Sequence, residues 1–252
     1  MKKYDVRECT LQSKSKLTAD IYDFTVEAGE LAQNAKPGQF AQLLVPGKTL
    51  RRPISICELG EGTFRFVFQV RGEGTEILSE LEPGEKLNLL APLGNGFELG
   101  ELSRRALFVG GGIGVPPLLE AAKRFGKNAV LAAGFRNAES VILQKDFEAA
   151  GCKVLLATDD GSAGHHGLVT ELTENLAFDE IFACGPAPML RAVSRLAEER
   201  GVPCQVSLEE RMACGIGACL GCAVKLRGET GDYYGHVCKD GPVFDSRKVL
   251  WK

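Results

Sequence analysis

The chain has 252 residues, 44% hydrophobic and 25% charged, with a formal net charge of −3. That length supports about two domains with their own cores, and the balance excludes a disordered or fibrous chain. The slight acidity excludes a general attraction to nucleic acid or anionic membrane, and no apolar run reaches the length of a membrane span.

The polar opening, Met1 to Glu8, leads into a strand-like pattern and does not read as a signal peptide. Together with an odd total of nine cysteines, it points to a reducing, cytoplasmic setting. Residues 1–100 then read as β structure. Ile21–Glu27 and residues 64–70 alternate and are rich in β-branched and aromatic side chains. Residues 39–45, 54–57 and 86–91 add candidate strands, separated by turns at Lys36-Pro-Gly, Pro46-Gly, Gly60-Glu-Gly and Pro83-Gly. Short strands at this spacing predict a small barrel.

The period changes over residues 101–208. A short apolar strand at 106–110 runs into a glycine-rich loop. A helix over 116–125 follows, with proline at its start and Gly126 at its end. Next come a strand at 129–134, a helix near 141–150, a strand at Lys153–Thr158 and a helical segment at 168–176. A strand at Glu180–Cys184 leads into a helix over 188–200, stopped by Gly201, with Leu190, Val193, Leu196 and Ala197 on one face. This alternation predicts a parallel sheet covered on both sides. Residues 209–252 are too few for a large core and depend in part on whatever their cysteines bind.

Several motifs carry two readings. In Arg51-Arg52-Pro53-Ile54-Ser55, Arg52 suits a pyrophosphate and Ser55 a flavin ring, or the segment is a solvated turn. In Gln69-Val70-Arg71-Gly72-Glu73-Gly74-Thr75, backbone amides can face a phosphate, or the glycines make a hairpin turn. Pro92–Phe97 reads as a tight turn. Gly110-Gly111-Gly112-Ile113-Gly114 lies between strand and helix, where a phosphate-cradling loop belongs, although it is not G-x-G-x-x-G and also serves as a structural turn. Cys184-Gly185-Pro186 ends another strand at the same edge, and its cysteine reads equally as a small buried residue. Asp159-Asp160-Gly161-Ser162 offers a carboxylate to a ribose hydroxyl and repels a 2′-phosphate, favouring NAD over NADP, or is a capped turn. His165, His166 and His236 form no clear ligand set.

The sharpest signal is Cys214-Gly-Ile-Gly-Ala-Cys219-Leu-Gly-Cys222 with Cys238 downstream, C-x4-C-x2-C-x15-C. The first intervals are the plant-type spacing for a [2Fe–2S] cluster. Gly215, Gly217 and Gly221 let the backbone curl close to the ligand, and its amides can point at sulfur. Structural zinc is the competing reading, but zinc sites pair two short knuckles rather than crowd three cysteines into one loop. A disulfide framework is a third.

Taken in order, these motifs make the chain resemble the ferredoxin reductase superfamily and, within it, the family of dihydroorotate dehydrogenase B electron-transfer subunits. The resemblance spans essentially the whole chain and implies a β plus α/β class. It comprises an N-terminal Greek-key-like FAD-binding β barrel over 1–100, an NAD-binding parallel-sheet domain over 101–208 and a [2Fe–2S] module over 209–252. It implies that Arg52, Pro53, Ile54, Ser55, Phe68, Gln69, Val70, Gly74 and Thr75 hold FAD. Gly110, Gly111, Gly112, Gly114, Asp159 and Cys184 would meet NAD(H), and Cys214, Cys219, Cys222 and Cys238 would hold the cluster. No general base is assigned. The implied partner is an FMN-containing dihydroorotate dehydrogenase catalytic subunit in a heterotetramer with two copies of each chain. Electrons from dihydroorotate, in pyrimidine biosynthesis, would pass one at a time through the cluster to FAD, which reduces NAD⁺ by a pair. The spacing before Cys238 is shorter than in plant-type ferredoxins, so their cluster fold is not carried over. Two alternatives stay open: an NAD(P)H:ferredoxin-type or hydrogenase-linked flavin reductase subunit, and a zinc-binding interaction module.

Overall fold

The computed structural model describes residues 4–251. Six antiparallel strands close into a barrel: β1 (Asp5–Lys16), β2 (Ile21–Glu27), β3 (Phe40–Leu43), β4 (Arg52–Leu59), β5 (Thr63–Gln69) and β6 (Lys86–Leu93). Their order around the barrel, β1-β2-β5-β4-β3-β6, is a Greek-key path. A short helix α1 (Glu30–Gln33) follows β2, and α2 (Glu73–Glu80) joins β5 to β6. Inward residues such as Phe24, Phe64, Phe66, Phe68 and Leu89 fill the barrel. Burying each is worth about 1.5–3 kcal/mol.

Of two barrel elements, one shows only weakly in the sequence and the other goes beyond it. β1 is the longest strand, yet only Cys9 and Leu11 are buried along it. One polar face in water leaves too few apolar positions to show the alternation. α2 occupies the place expected to be a phosphate-facing loop or hairpin turn. It starts after Gly72 with acidic Glu73 and Glu76 in its first turn, where they favour the helix dipole, and it buries Leu78.

The second region contains β7 (Ala106–Gly111), α3 (Leu119–Phe125), β8 (Ala129–Phe135), α4 (Gln144–Ala149) and β9 (Lys153–Thr158). After them come β10 (His165–His166), β11 (Glu180–Cys184), α5 (Ala187–Arg200) and β12 (Cys204–Ser207). β7 to β12 pair in parallel in the order β10-β9-β8-β7-β11-β12. The helix expected over 116–125 is delayed. Pro116–Leu118 forms a 3₁₀ turn first. Gly126 ends α3 at φ 54° as anticipated. The expected helix at 168–176 shrinks to one 3₁₀ stretch, Val169–Thr173. There the Thr173 hydroxyl donates to the Thr170 carbonyl at 2.6 Å, which competes with α-helical pairing. α5 buries Leu190, Val193 and Ala197, while Leu196 packs at the edge of the core.

The cysteine-rich segment adds the hairpin β13 (Ala223–Leu226) and β14 (Tyr233–His236), and then β15 (Val243–Asp245). β15 pairs antiparallel with β12 and so extends the parallel sheet. One apolar core runs from Phe40 and Leu93 of the barrel, through Leu107, Val109 and Ile181 of the sheet, to Cys222, Val237 and Cys238. A second joins Ile21, Cys57 and Val67 of the barrel to Phe108, Phe125 and Phe182. Among the described residues, no helix is long and apolar enough to cross a membrane.

Candidate redox site

The loop from 208 to 222 carries three of the four candidate ligands without helix or strand. Gly215 at φ 72° and Gly217 at φ 79° make its left-handed bends, which a side chain would resist. The hairpin β13–β14 returns the fourth. Val237 N–H donates to the Cys222 carbonyl at 3.1 Å, and the Cys222 and Cys238 sulfurs lie 3.3 Å apart, both buried. The Gly217 amide donates to the Cys238 sulfur at 3.2 Å.

Cys214 and Cys219 form the other pair, nearer solvent, with the Cys219 thiol hydrogen-bonded to Cys214. Partial burial pushes the Cys214 thiol up. The Ile216, Cys219 and Ala218 amides and the Cys219 thiol overcome this and bring it down to about 6. Burial and the neighbouring Cys222 push Cys238 up to about 12. The remaining five cysteines are buried elsewhere.

Two thiol pairs, Cys214 with Cys219 and Cys222 with Cys238, with backbone amides aimed at sulfur, fit a binuclear iron–sulfur cluster.

Two cavities lie beside this loop. The smaller, about 250 Å³, is lined by Pro53, Ile54 and Ser55 of β4, by Phe68 and Gln69 of β5, and by Thr75 and Met212. The Phe68 ring belongs to the barrel core, edge-on to Phe24 at 5.0 Å. Arg52 and Gly74 sit next to one another at this end of the barrel. A methyl on Gly74 would lie 2.4 Å from Arg52 Nε. Arg52 Nη1 donates to the Leu50 carbonyl at 2.8 Å. The Thr75 hydroxyl accepts from Arg71 N–H at 2.8 Å and donates to the Gly72 carbonyl at 2.9 Å, closing the start of α2. Val70 continues β5 and donates its amide to the Asp20 carbonyl at 2.8 Å.

The larger cavity, about 760 Å³, opens at the carboxyl edge of the parallel sheet, where ligands of such sheets bind. Gly111, Gly112, Ile113 and Gly114 line it, with Gly185, Pro186 and Asp159. Gly110 does not line it. It is buried in β7, where a methyl would meet Val115 Cγ2 at 2.7 Å. Cys184 is buried behind the surface, and burial pushes its thiol far up, so it is an inert packing group in this geometry. Asp160 turns away to accept from the Ser162 amide at 2.9 Å, leaving Asp159 alone of the acidic pair facing the cavity.

The two cavities meet at Gln69, Arg71, Ile113 and Glu209. Glu209 was not singled out by the motif reading. Its side chain is exposed at the surface, yet desolvation by the surrounding chain raises its carboxyl above the ordinary range, against a smaller pull from Arg71. Its signal was position, since it stands just past the end of β12 at the ligand-binding edge. Arg136, at the end of β8, is a second residue the motifs passed over, and it faces the larger cavity.

Comparison with known proteins gives a consistent picture. Residues 209–250 match the family described as the iron–sulfur cluster binding domain of dihydroorotate dehydrogenase B. A dihydroorotate dehydrogenase B (NAD(+)) electron transfer subunit from Caldanaerobacter subterraneus subsp. tengcongensis is 43% identical over 243 residues, covering 95% of this chain and 96% of its own. The subunit of the same name from Geobacillus thermodenitrificans is 41% identical over 254 residues, with 96% and 97% covered. Among solved structures, the NADH-dependent reduced ferredoxin-NADP oxidoreductase studied for flavin-based electron bifurcation superposes with a TM-score of 0.86. It shares 31% identity, with 97% of this chain and 90% of that one covered. The ferredoxin reductase in carbazole 1,9a-dioxygenase, at 21% identity and TM-score 0.67 with 79% of this chain and 67% of that chain covered, shares the fold.

Proposed function

Because this chain belongs to the family of dihydroorotate dehydrogenase B electron transfer subunits, we propose that it accepts electrons from an FMN-containing catalytic partner. It delivers them to NAD⁺ through a [2Fe–2S] cluster and FAD. The observation that supports this is that the three candidate sites adjoin one another. The paired thiols adjoin the barrel, the barrel groove adjoins the sheet-edge cavity, and Gln69, Arg71, Ile113 and Glu209 line both cavities.

In this reading Cys214 and Cys219 hold one iron, and Cys222 and Cys238 the other. The Gly217 amide bonds one ligand sulfur. Arg52 to Ser55, with Phe68 to Val70, Gly74 and Thr75, hold FAD, Arg52 supplying the cation for its diphosphate. When bound, the flavin exchanges single electrons with the cluster and electron pairs with the nicotinamide. Gly111, Gly112 and Gly114 bring backbone amides close to the dinucleotide phosphates, while Gly110 and Cys184 pack beneath them. Asp159 offers a carboxylate to a ribose hydroxyl. Glu209 and Arg71 flank the place where nicotinamide meets flavin.

The three units we assign are 1–100, 101–208 and 209–252, with β15 of the last completing the sheet of the second. The partner docks over the cluster loop, whose exposed Ile216 and Leu220 offer an apolar contact at the electron exit. We place the complex in the cytoplasm as a heterotetramer of two chains of each kind. Co-expression with a candidate catalytic subunit and assay of dihydroorotate-dependent NAD⁺ reduction tests the reading. A complex that forms, carries both flavins and the cluster, and yet reduces no NAD⁺ would refute it.

A further inference from the structure

Gln42 is a polar side chain with no partner in a fully buried place. It lies on β3, where Ala41 and Leu43 point into the barrel core and Phe40 packs toward Cys222 and Cys238. By alternation, Gln42 shares the outward face of Phe40. The residue has no solvent exposure, and neither its Nε2 nor its Oε1 has a hydrogen-bond partner. Buried amides are nearly always satisfied, so an orphan of this kind marks a missing group.

The side chain lies on the cluster loop. A methyl added to Gly215 would come within 2.8 Å of Gln42 Cγ and 2.9 Å of its Nε2. Gly215 directly follows Cys214, and its left-handed bend at φ 72° turns the loop at that point. Gln42 also pairs with Pro53 of the neighbouring strand β4, in the Arg52–Ser55 segment. Its main-chain carbonyl accepts from Arg51 Nη1 at 3.2 Å, which ties that strand further. One residue therefore touches both the strand proposed for flavin and the loop proposed for iron.

We propose that the Gln42 side-chain amide donates a hydrogen bond to sulfur of the bound cluster, and so sets its reduction potential and its seat against the barrel. This rests on the iron–sulfur reading above. An N–H donor to sulfur favours the more negative, reduced cluster and raises its potential. Gln42 is a positioning and tuning residue, since it ligates no iron. Gly215 is its counterpart, because any side chain there would displace the amide.

The test is Gln42→Met, which keeps size and apolar contacts but removes the donor, made in the full chain reconstituted with iron and sulfide. The expected result is unchanged iron and acid-labile sulfide with a cluster midpoint lowered by about 59 mV, a tenfold change in a one-electron equilibrium. The second readout is pulsed paramagnetic resonance of the dithionite-reduced wild type grown on side-chain ¹⁵N-labelled glutamine. It should show an amide nitrogen coupled to the cluster, absent in Gln42→Met. An unaltered midpoint with no amide coupling overturns the proposal and leaves the cluster assignment standing. If Gln42→Met holds no cluster, the wild-type coupling decides alone, its presence supporting and its absence overturning the assignment. A wild type with no reduced-cluster signal at full iron loading overturns both.

Discussion

Replacing Gly74 by alanine separates fold from flavin binding with a single methyl. The new carbon would lie 2.4 Å from Arg52 Nε, 2.5 Å from Nη2 and 2.6 Å from Cζ. Carbon contacts settle near about 3.5–4.0 Å, so the overlap must be relieved. Gly74 lies in the first turn of α2 and is not among the glycines with left-handed φ, so the backbone has no reason to move. Alanine gains up to about 1 kcal/mol over glycine in a helix interior and less in a first turn. The guanidinium is the soft partner and swings away. If Arg52 holds the flavin diphosphate, one charge-assisted hydrogen bond is lost, worth about 1.5–3 kcal/mol. That corresponds to FAD binding weaker by about 10- to 100-fold. Fluorescence titration of apoprotein with FAD measures it, and thermal melting of the same samples should show stability unchanged or slightly higher. Because both substitutions act through one side chain, Gly74→Ala made in an Arg52→Ala background should add little. An unchanged FAD Kd in folded Gly74→Ala, or full additivity with Arg52→Ala, would refute the reasoning.

Three further outcomes are expected. Cys219→Ser should lose the visible iron–sulfur absorption and electron transfer from the partner while keeping NADH oxidation by artificial acceptors, and parallel loss of both activities would contradict the separation of sites. Arg65 binds Asp23, with Nη2 to Oδ2 at 2.8 Å, together with Glu58 and Asp146, and so ties β2 and β4 to α4. Arg65→Met leaves three half-buried acids short of a cation and should cost about 1–3 kcal/mol in denaturant melts, below the fully buried case because water screens the group. Burial raises the Glu58 carboxyl, but Lys123 and Arg65 more than offset this and hold it below 4.5. Its stabilisation is therefore complete above pH 4.5 and lost as pH falls through the lower folded value, and Arg65→Met should show a shallower acid loss in that window. Asp159→Asn removes the carboxylate facing the dinucleotide cavity while Arg136 remains there. The ratio of kcat/KM for NADP⁺ to NAD⁺ should rise by on the order of tenfold, and a fixed ratio would show that Asp159 does not face the ribose.

The grouping of the four candidate cysteines was legible in the sequence because three of them share one loop, so spacing alone places them together. The barrel and the parallel sheet were legible from strand alternation and strand–helix rhythm, which are local properties of the chain. β1 was legible only as a strand-like pattern after the polar opening, without bounds, since a strand with one polar face in water shows little apolar pattern. α2 was not legible, because glycines that suggested a loop open a helix packed by Leu78. Only folding decided that Gly110 and Cys184 lie beneath the sheet edge while Gly111 to Gly114 and Asp159 face the cavity. Only folding brought Glu209 to the junction of two cavities and set the amide of Gln42 against Gly215, 173 positions along the chain. Covalent spacing constrains neighbours along the chain, whereas burial and the pairing of polar groups are set by which distant surfaces meet.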